Sequence, residues 1–190
     1  MSQLIYLTFS LALLFTPATS IARSRKHPIR DKIAHTIDTA LVSAPIDNET
    51  CFSPDEPCDI KLVKFVESAK ASLDIAIYDI NLDQLVHQIL IQSKRIPVRI
   101  VVDKKQAHGS HSSVPLLQKA GVQLRFGHQR GIMHNKFTIV DGRRLETGSF
   151  NYTGHAATAN QENQMYISTP NVVERYRGRF EKVWASATAE

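Results

Sequence analysis

Between residues 60 and 126 the apolar positions switch back and forth between two spacings, and this alternation is the strongest constraint on what the chain can fold into. Ile60, Leu62, Val63, Val66, Ala69 and Leu73 recur at helical spacing, with Asp59 as the expected N-cap. Residues 74–79 (DIAIYD) then read as a short apolar strand and 82–93 as a second helix. Residues 96–103 form a β-branched run ending in an acid, as a buried parallel strand would. A third helix around 114–120 stops at Gly121, and 122–126 makes a further strand. Strands joined through helices require crossover connections. The expected architecture is therefore a single α/β domain, a mixed, largely parallel sheet flanked by helices on both faces.

Beyond residue 130 the pattern changes. Residues 137–140 and 144–147 read as two strands around Asp141-Gly142, a strong hairpin signal. Residues 165–168 read as a last strand and 172–184 as an amphipathic helix. No internal repeat is evident.

At 190 residues the chain suits one domain with a sizeable core. Its 43% hydrophobic and 22% charged residues, with 8 Gly and 8 Pro, exclude disordered, fibrous and multi-span classes. The net charge is +5, and residues 1–22 carry no charged side chain, so the excess sits on the part expected to fold. Such a balance favours anionic partners such as nucleic acid or anionic lipid. Aromatic residues, at 7%, show no stacking pattern of the single-strand-binding kind.

Residues 4–15 are an apolar run too short to span a bilayer comfortably, followed by Pro17, small residues and the basic cluster Arg23, Arg25 and Lys26. Residues 1–22 are read as a cleaved secretory signal, which makes the protein exported, periplasmic or secreted. The absence of Lys or Arg ahead of the run leaves an uncleaved membrane anchor as the alternative. Residues 23–50 are polar and weakly periodic, an N-terminal arm or helix, and the domain proper is expected over 51–188. Cys51 and Cys58 are the only cysteines. An oxidising compartment would permit a local disulfide, two free thiols remain open, and zinc is disfavoured because no His pair lies near.

Polar residues crowd between 133 and 164 against apolar strand positions: His134, Lys136, Asp141, Ser149, Asn151, Glu162 and Asn163. His134 and Lys136 are two apart, so on a strand their side chains leave from one face, and Ser149 and Asn151 repeat that geometry. A nucleophile or proton carrier beside a fixed cation is what phosphate chemistry needs. The other histidines, His27, His35, His87, His108, His111, His128 and His155, receive no role, although His108 and His111 fall in a loop near the expected cleft. Lys104, Lys105, Arg125 and Arg130 are candidates to guide a phosphate backbone, with solvated surface charge the commoner explanation.

The series His134-Asn-Lys136-Phe-Thr-Ile-Val-Asp141 resembles the His-x-Lys-x4-Asp signature of the phospholipase D superfamily, and Gly148-Ser149-Phe150-Asn151 with Glu162-Asn163 resembles its continuation. Phe52-Ser-Pro, residues 71–78 and residues 98–103 are similar to the superfamily's small bacterial endonucleases, so the likeness covers about residues 51–184. It implies His134 as the nucleophile that forms a phosphohistidine, and Lys136 and Asn151 as holders of the non-bridging phosphate oxygens. It also implies Glu162 as the carboxylate on the other imidazole nitrogen and Ser149 as its supporting partner. Asn163 belongs with the phosphate-binding or supporting residues. Asp141 is grouped with the catalytic series, though its place points to bracing the hairpin rather than touching substrate.

The implied chemistry needs no metal and no cofactor. It needs a second histidine to protonate the leaving oxygen, and this chain carries one motif. The expected partner is therefore a second copy in a homodimer with one shared active site. The expected activity is a metal-independent phosphodiesterase, foremost a non-specific endonuclease on DNA or RNA. Phospholipid head-group hydrolysis and a non-catalytic nucleic-acid-binding module are the alternatives.

Overall fold

In this computed structural model residues 47–127 and 131–189 are described. The expected signal segment and residues 23–46 of the expected arm lie outside them, as do His128 and Arg130. In chain order the elements are β1 (Glu49–Ser53), α1 (Cys58–Glu67), β2 (Leu73–Ile77), α2 (Asp83–Ser93), β3 (Val98–Asp103), α3 (Lys104–Ala107) and α4 (Val114–Lys119). They continue with β4 (Gln123–Gly127), β5 (Lys136–Val140), β6 (Arg144–Gly148), α5 (Gly154–Thr158), β7 (Glu162–Ile167) and α6 (Pro170–Ser186).

The strands form one seven-stranded sheet in the order β1-β7-β6-β5-β2-β3-β4. The expected mixed sheet is present, but its balance differs from the expectation of a largely parallel one. Only β2–β3 and β3–β4 pair in parallel, while β1–β7, β7–β6, β6–β5 and β5–β2 are antiparallel. The reason lies in the chain after β4. Asp141 and Gly142 both take positive φ, 55° and 63°, and the Arg143 N–H donates to the Val140 carbonyl at 3.0 Å, closing a tight turn in the three-residue connection between the antiparallel β5 and β6.

Helices cover both faces, as the apolar runs require. On one face Leu62, Phe65 and Val66 of α1 and Leu85, Val86 and Ile89 of α2 pack over Ile75, Ile77, Ile100 and Val102. On the other, Val173, Phe180 and Val183 of α6 pack over Ala76, Val101, Phe137, Ile139 and Leu145. Every residue of β5 is buried, which places the strand leading out of the His-x-Lys signature at the centre of the domain.

Three expectations change. The first helix ends at Glu67, not Leu73, because the backbone N–H groups of Lys70, Ala71 and Ser72 donate to the Asp141 carboxylate at 2.9, 2.7 and 3.1 Å. Its N-cap position is Pro57, and Asp59 instead accepts from Gln84 at 2.5 Å. An edge strand, β1, reaches back into the stretch read as an arm and pairs with β7. The Cys51–Cys58 disulfide, with Cα atoms 5.6 Å apart, stitches this strand to α1, and Lys61 pairs with Glu49 across the same joint.

Candidate active site

The sheet topology brings the ends of four strands to one edge: the start of β5, the end of β6, the start of β7 and the end of β2. Lys136 opens β5 opposite Ile77, the last residue of β2. Glu162 opens β7, and Ser149 follows β6 directly.

His134 lies just before β5 rather than within it, with its side chain exposed. The same-face geometry expected of a strand is replaced by a shared neighbour, Tyr78. The His134 ring meets the Tyr78 ring edge-on with centroids 4.7 Å apart, and the Lys136 ammonium lies 5.2 Å from the Tyr78 centroid. Tyr78 is fixed in turn by Gln106, whose side-chain amide donates to the phenol oxygen at 2.7 Å. Next along, burial pushes the Asp79 carboxyl pKa up, against a backbone hydrogen bond from Ile80 that lowers it.

Lys136 is only 8% exposed. Burial pushes its pKa below the ordinary lysine value, and the field of Glu162 opposes that shift. Its ammonium donates to the His134 carbonyl at 3.2 Å, which ties the turn carrying His134 back to the strand. A cation held this way, short of solvent and short of a full salt bridge, retains donors for an incoming anion.

Glu162 does not bond His134 here. One of its oxygens accepts from the Ser149 hydroxyl at 2.5 Å and the other from the Asn160 amide at 2.9 Å. Ser149 also accepts from the Asn163 backbone and side-chain amides at 3.1 and 3.3 Å. Ser149, Glu162 and Asn163 therefore form one hydrogen-bonded cluster, with Glu162 facing Lys136 electrostatically. Asn151 keeps a buried Oδ1 with no hydrogen-bond partner among the described residues. Gly148 makes the strand-end crossing possible, since an added Cβ would lie 2.0 Å from the Asn163 carbonyl oxygen.

Asp141 stands apart from these groups, at the opposite end of β5. Burial alone would raise its pKa, but the three backbone N–H donors and the nearby Arg144 lower it below the ordinary carboxylate value. Its position is that of a brace between the hairpin and the α1–β2 loop.

Three contributors were invisible to sequence reasoning. Tyr78 reads as an ordinary strand aromatic. Asp103 reads as the end of a buried strand, yet one oxygen caps α3 through Lys105 and Gln106 while the other accepts from the Met133 backbone at 3.0 Å, pinning the residue before His134. Behind Lys136 lies a buried polar chain in which the Thr138 hydroxyl meets Tyr152 at 2.6 Å and Tyr152 donates to Glu146 at 2.5 Å. Glu146 is fully buried, and desolvation pushes its pKa up to about 8 against the Tyr152 hydrogen bond. Of the basic candidates, Arg125 is structural: it donates to the Trp184 carbonyl at 2.7 Å and lies over the Trp184 ring.

Residues 62–184 match the family model described as the cardiolipin synthase, PLD-like domain. Among known proteins the chain is similar to the mitochondrial cardiolipin hydrolase of Chlamydomonas reinhardtii, 36% identical over 125 residues, covering 65% of this chain and 56% of that protein. It is also similar to the mitochondrial cardiolipin hydrolase of Homo sapiens, 35% identical over 173 residues, covering 84% of this chain and 69% of that one. Among solved structures it resembles Nuc from Salmonella typhimurium, described as a phospholipase D family member. The TM-score is 0.70 at 28% identity, over 74% of this chain and 95% of that one.

Proposed function

The chain belongs to the phospholipase D superfamily, and on that premise we propose that it is a metal-independent phosphodiesterase, foremost an endonuclease on DNA or RNA. The observation that carries the reading is an exposed His134 imidazole and a buried Lys136 ammonium set against the same Tyr78 ring.

His134 attacks phosphorus, the bond to the leaving oxygen breaks, and a phosphohistidine forms that water then hydrolyses. Charge growing on the non-bridging oxygens is met by donors from Lys136 and Asn151 that are already in place. Glu162, supported by Ser149 and Asn163, balances the positive charge of the site. Among the described residues the contacts of His134 include no second histidine, and we read the acid for the leaving oxygen as His134 of a second copy, in a homodimer with one shared site. The Cys51–Cys58 disulfide supports an oxidising compartment and so the exported reading.

A polynucleotide is favoured by the net charge of +5 and by the cleft beside the signature. Asn135 lines about 350 Å³ there with Val172, Arg175, Tyr176 and Arg179. A phospholipid substrate is the second reading, supported by Ile132, 56% exposed two residues before His134, and by the activity named for the two similar hydrolases.

The test incubates the protein in excess EDTA with plasmid DNA, RNA and cardiolipin vesicles separately. Cleavage of DNA or RNA is expected, and His134→Ala and Lys136→Ala should each lower turnover by at least about 10²–10³-fold. Activity abolished by EDTA and restored by Mg²⁺ would overturn the mechanism. Lipid turnover with intact nucleic acid would select the second reading.

A further inference from the structure

A second concavity lies at the far end of β5 from His134. It has a volume of about 900 Å³ and is walled by the β5–β6 turn, the chain after α1 and the first turns of α6. Lys70, Arg143, Arg144 and Arg177 line it, against the two carboxylates of Asp141 and Glu174, which leaves an excess of two positive charges.

Those carboxylates are already engaged. Asp141 accepts from three backbone N–H groups, and Glu174 pairs with Arg177 at 2.7 Å. Arg144 donates to the Ser68 hydroxyl at 2.9 Å, a neutral partner, and meets Asp141 only through the field between them, with no hydrogen bond. The exposed Lys70 ammonium and Arg143 guanidinium make no hydrogen bond or ion pair among the described residues. Like charges gathered in one concavity repel each other, and an anion seated among them reverses the sign of that interaction. Guanidinium forks also match the oxygens of a phosphate.

We propose that this cleft is a second, non-catalytic phosphate-binding site, which holds the backbone of a polynucleotide while another diester of the same strand sits at His134. The proposal rests on the nuclease reading above. The two places are separated by the length of β5, about 16 Å at roughly 3.3 Å per residue. One phosphate cannot occupy both, whereas a strand of several nucleotides can. A membrane surface fits less well. Among the described residues none of the exposed large apolar side chains, Phe52, Ile91, Leu116, Ile132 and Met165, lines the cleft to enter a bilayer.

The test uses the full chain and the double variant Lys70→Ala/Arg143→Ala, with Arg143→Glu as a second variant. Hydrolysis of bis(p-nitrophenyl) phosphate should be unchanged, because that small diester reaches only His134. For a single strand of about 30 nucleotides, KM should rise, and the slope of log binding constant against log salt should shrink by about 1.4, since each lost phosphate contact is worth roughly 0.7. Binding for that slope is measured in a His134→Asn background. Arg143→Glu, which reverses one charge of the cleft, should also raise KM for the strand. An unchanged slope and KM in an enzyme that still cuts the strand would overturn this site and leave the nuclease reading standing. A wild-type protein that neither binds nor cuts nucleic acid would overturn both. Loss of binding to anionic vesicles with the strand's slope intact would assign the cleft to a membrane and overturn the proposal.

Discussion

The Asp103 carboxylate accepts a hydrogen bond from the backbone N–H of Met133 at 3.0 Å, tying the residue before His134 to the end of β3. The same side chain caps α3, so one acid orients two segments. In Asp103→Asn, an amide turned toward Met133 meets a donor with a donor. The turn that carries His134 should loosen while the strand stays buried. Because a misplacement of about 1 Å can cost about 10²-fold, kcat on a small diester should fall by roughly that factor with KM nearly constant. A kcat within a factor of two of wild type would show that the turn is held by other contacts.

On the proposed shared site, the two His134 residues of a dimer act as one unit. Mixed dimers with one His134→Asn subunit would then lack either nucleophile or acid and should be nearly inactive. With random mixing of wild-type and variant chains, activity should fall as the square of the wild-type fraction. A linear fall would give each chain its own complete site.

Asp141 should matter for folding rather than chemistry. Asp141→Ala removes acceptors for three backbone N–H groups and puts a plain side chain at positive φ. Hydrogen bonds to charged groups contribute about 1.5–3 kcal/mol, so a loss of about 3 kcal/mol is expected in denaturant titration. Activity per folded molecule should remain near wild type. A stable but inactive Asp141→Ala protein would return this residue to the catalytic group.

Glu146 predicts a pH dependence of stability. Its folded pKa, pushed up to about 8 by burial, lies above the ordinary value of 4.5. Between those values the folded state keeps a proton that the unfolded chain releases. Stability from this group is therefore full below about pH 4.5 and declines as pH rises toward 8, by at most about 1.4 kcal/mol per unit. Glu146→Gln should flatten that decline in Tm measured from pH 5 to 8. An identical slope in the variant would mean that Glu146 is already ionised in the fold.

The spacing of apolar residues was enough to locate α1, β2, α2, β3, α4 and β4, though not the short α3, and the Asp141-Gly142 dipeptide was enough to place the hairpin. What escaped did so for physical reasons. Ala69 and Leu73 continue the helical spacing, but Asp141, some seventy positions away in sequence, claims the backbone N–H groups that would have extended α1. β1 is short and polar, and pairing with β7 and the bond to Cys58 define it rather than any periodicity. Glu146 breaks the alternation of β6 because both faces of that strand are covered, so an acid is buried where a one-sided sheet would expose it. The His-x-Lys signature offered His134 and Lys136 as the candidate reacting groups. It carried no sign of Tyr78 or Asp103, which reach the site from strands earlier in the chain.

Gly148 has a consequence for how any mutational map of this protein is read. No atom fits where its Cβ would stand, so every substitution there must push β6 away from β7 and drag Ser149 and Asn163 with it. A scan scored only by surviving activity would rank this position beside His134, although it has no functional group to contribute. Sensitivity at 148 would register a vacancy that must stay vacant, and only a parallel measure of folded protein would tell that kind of indispensability from chemistry.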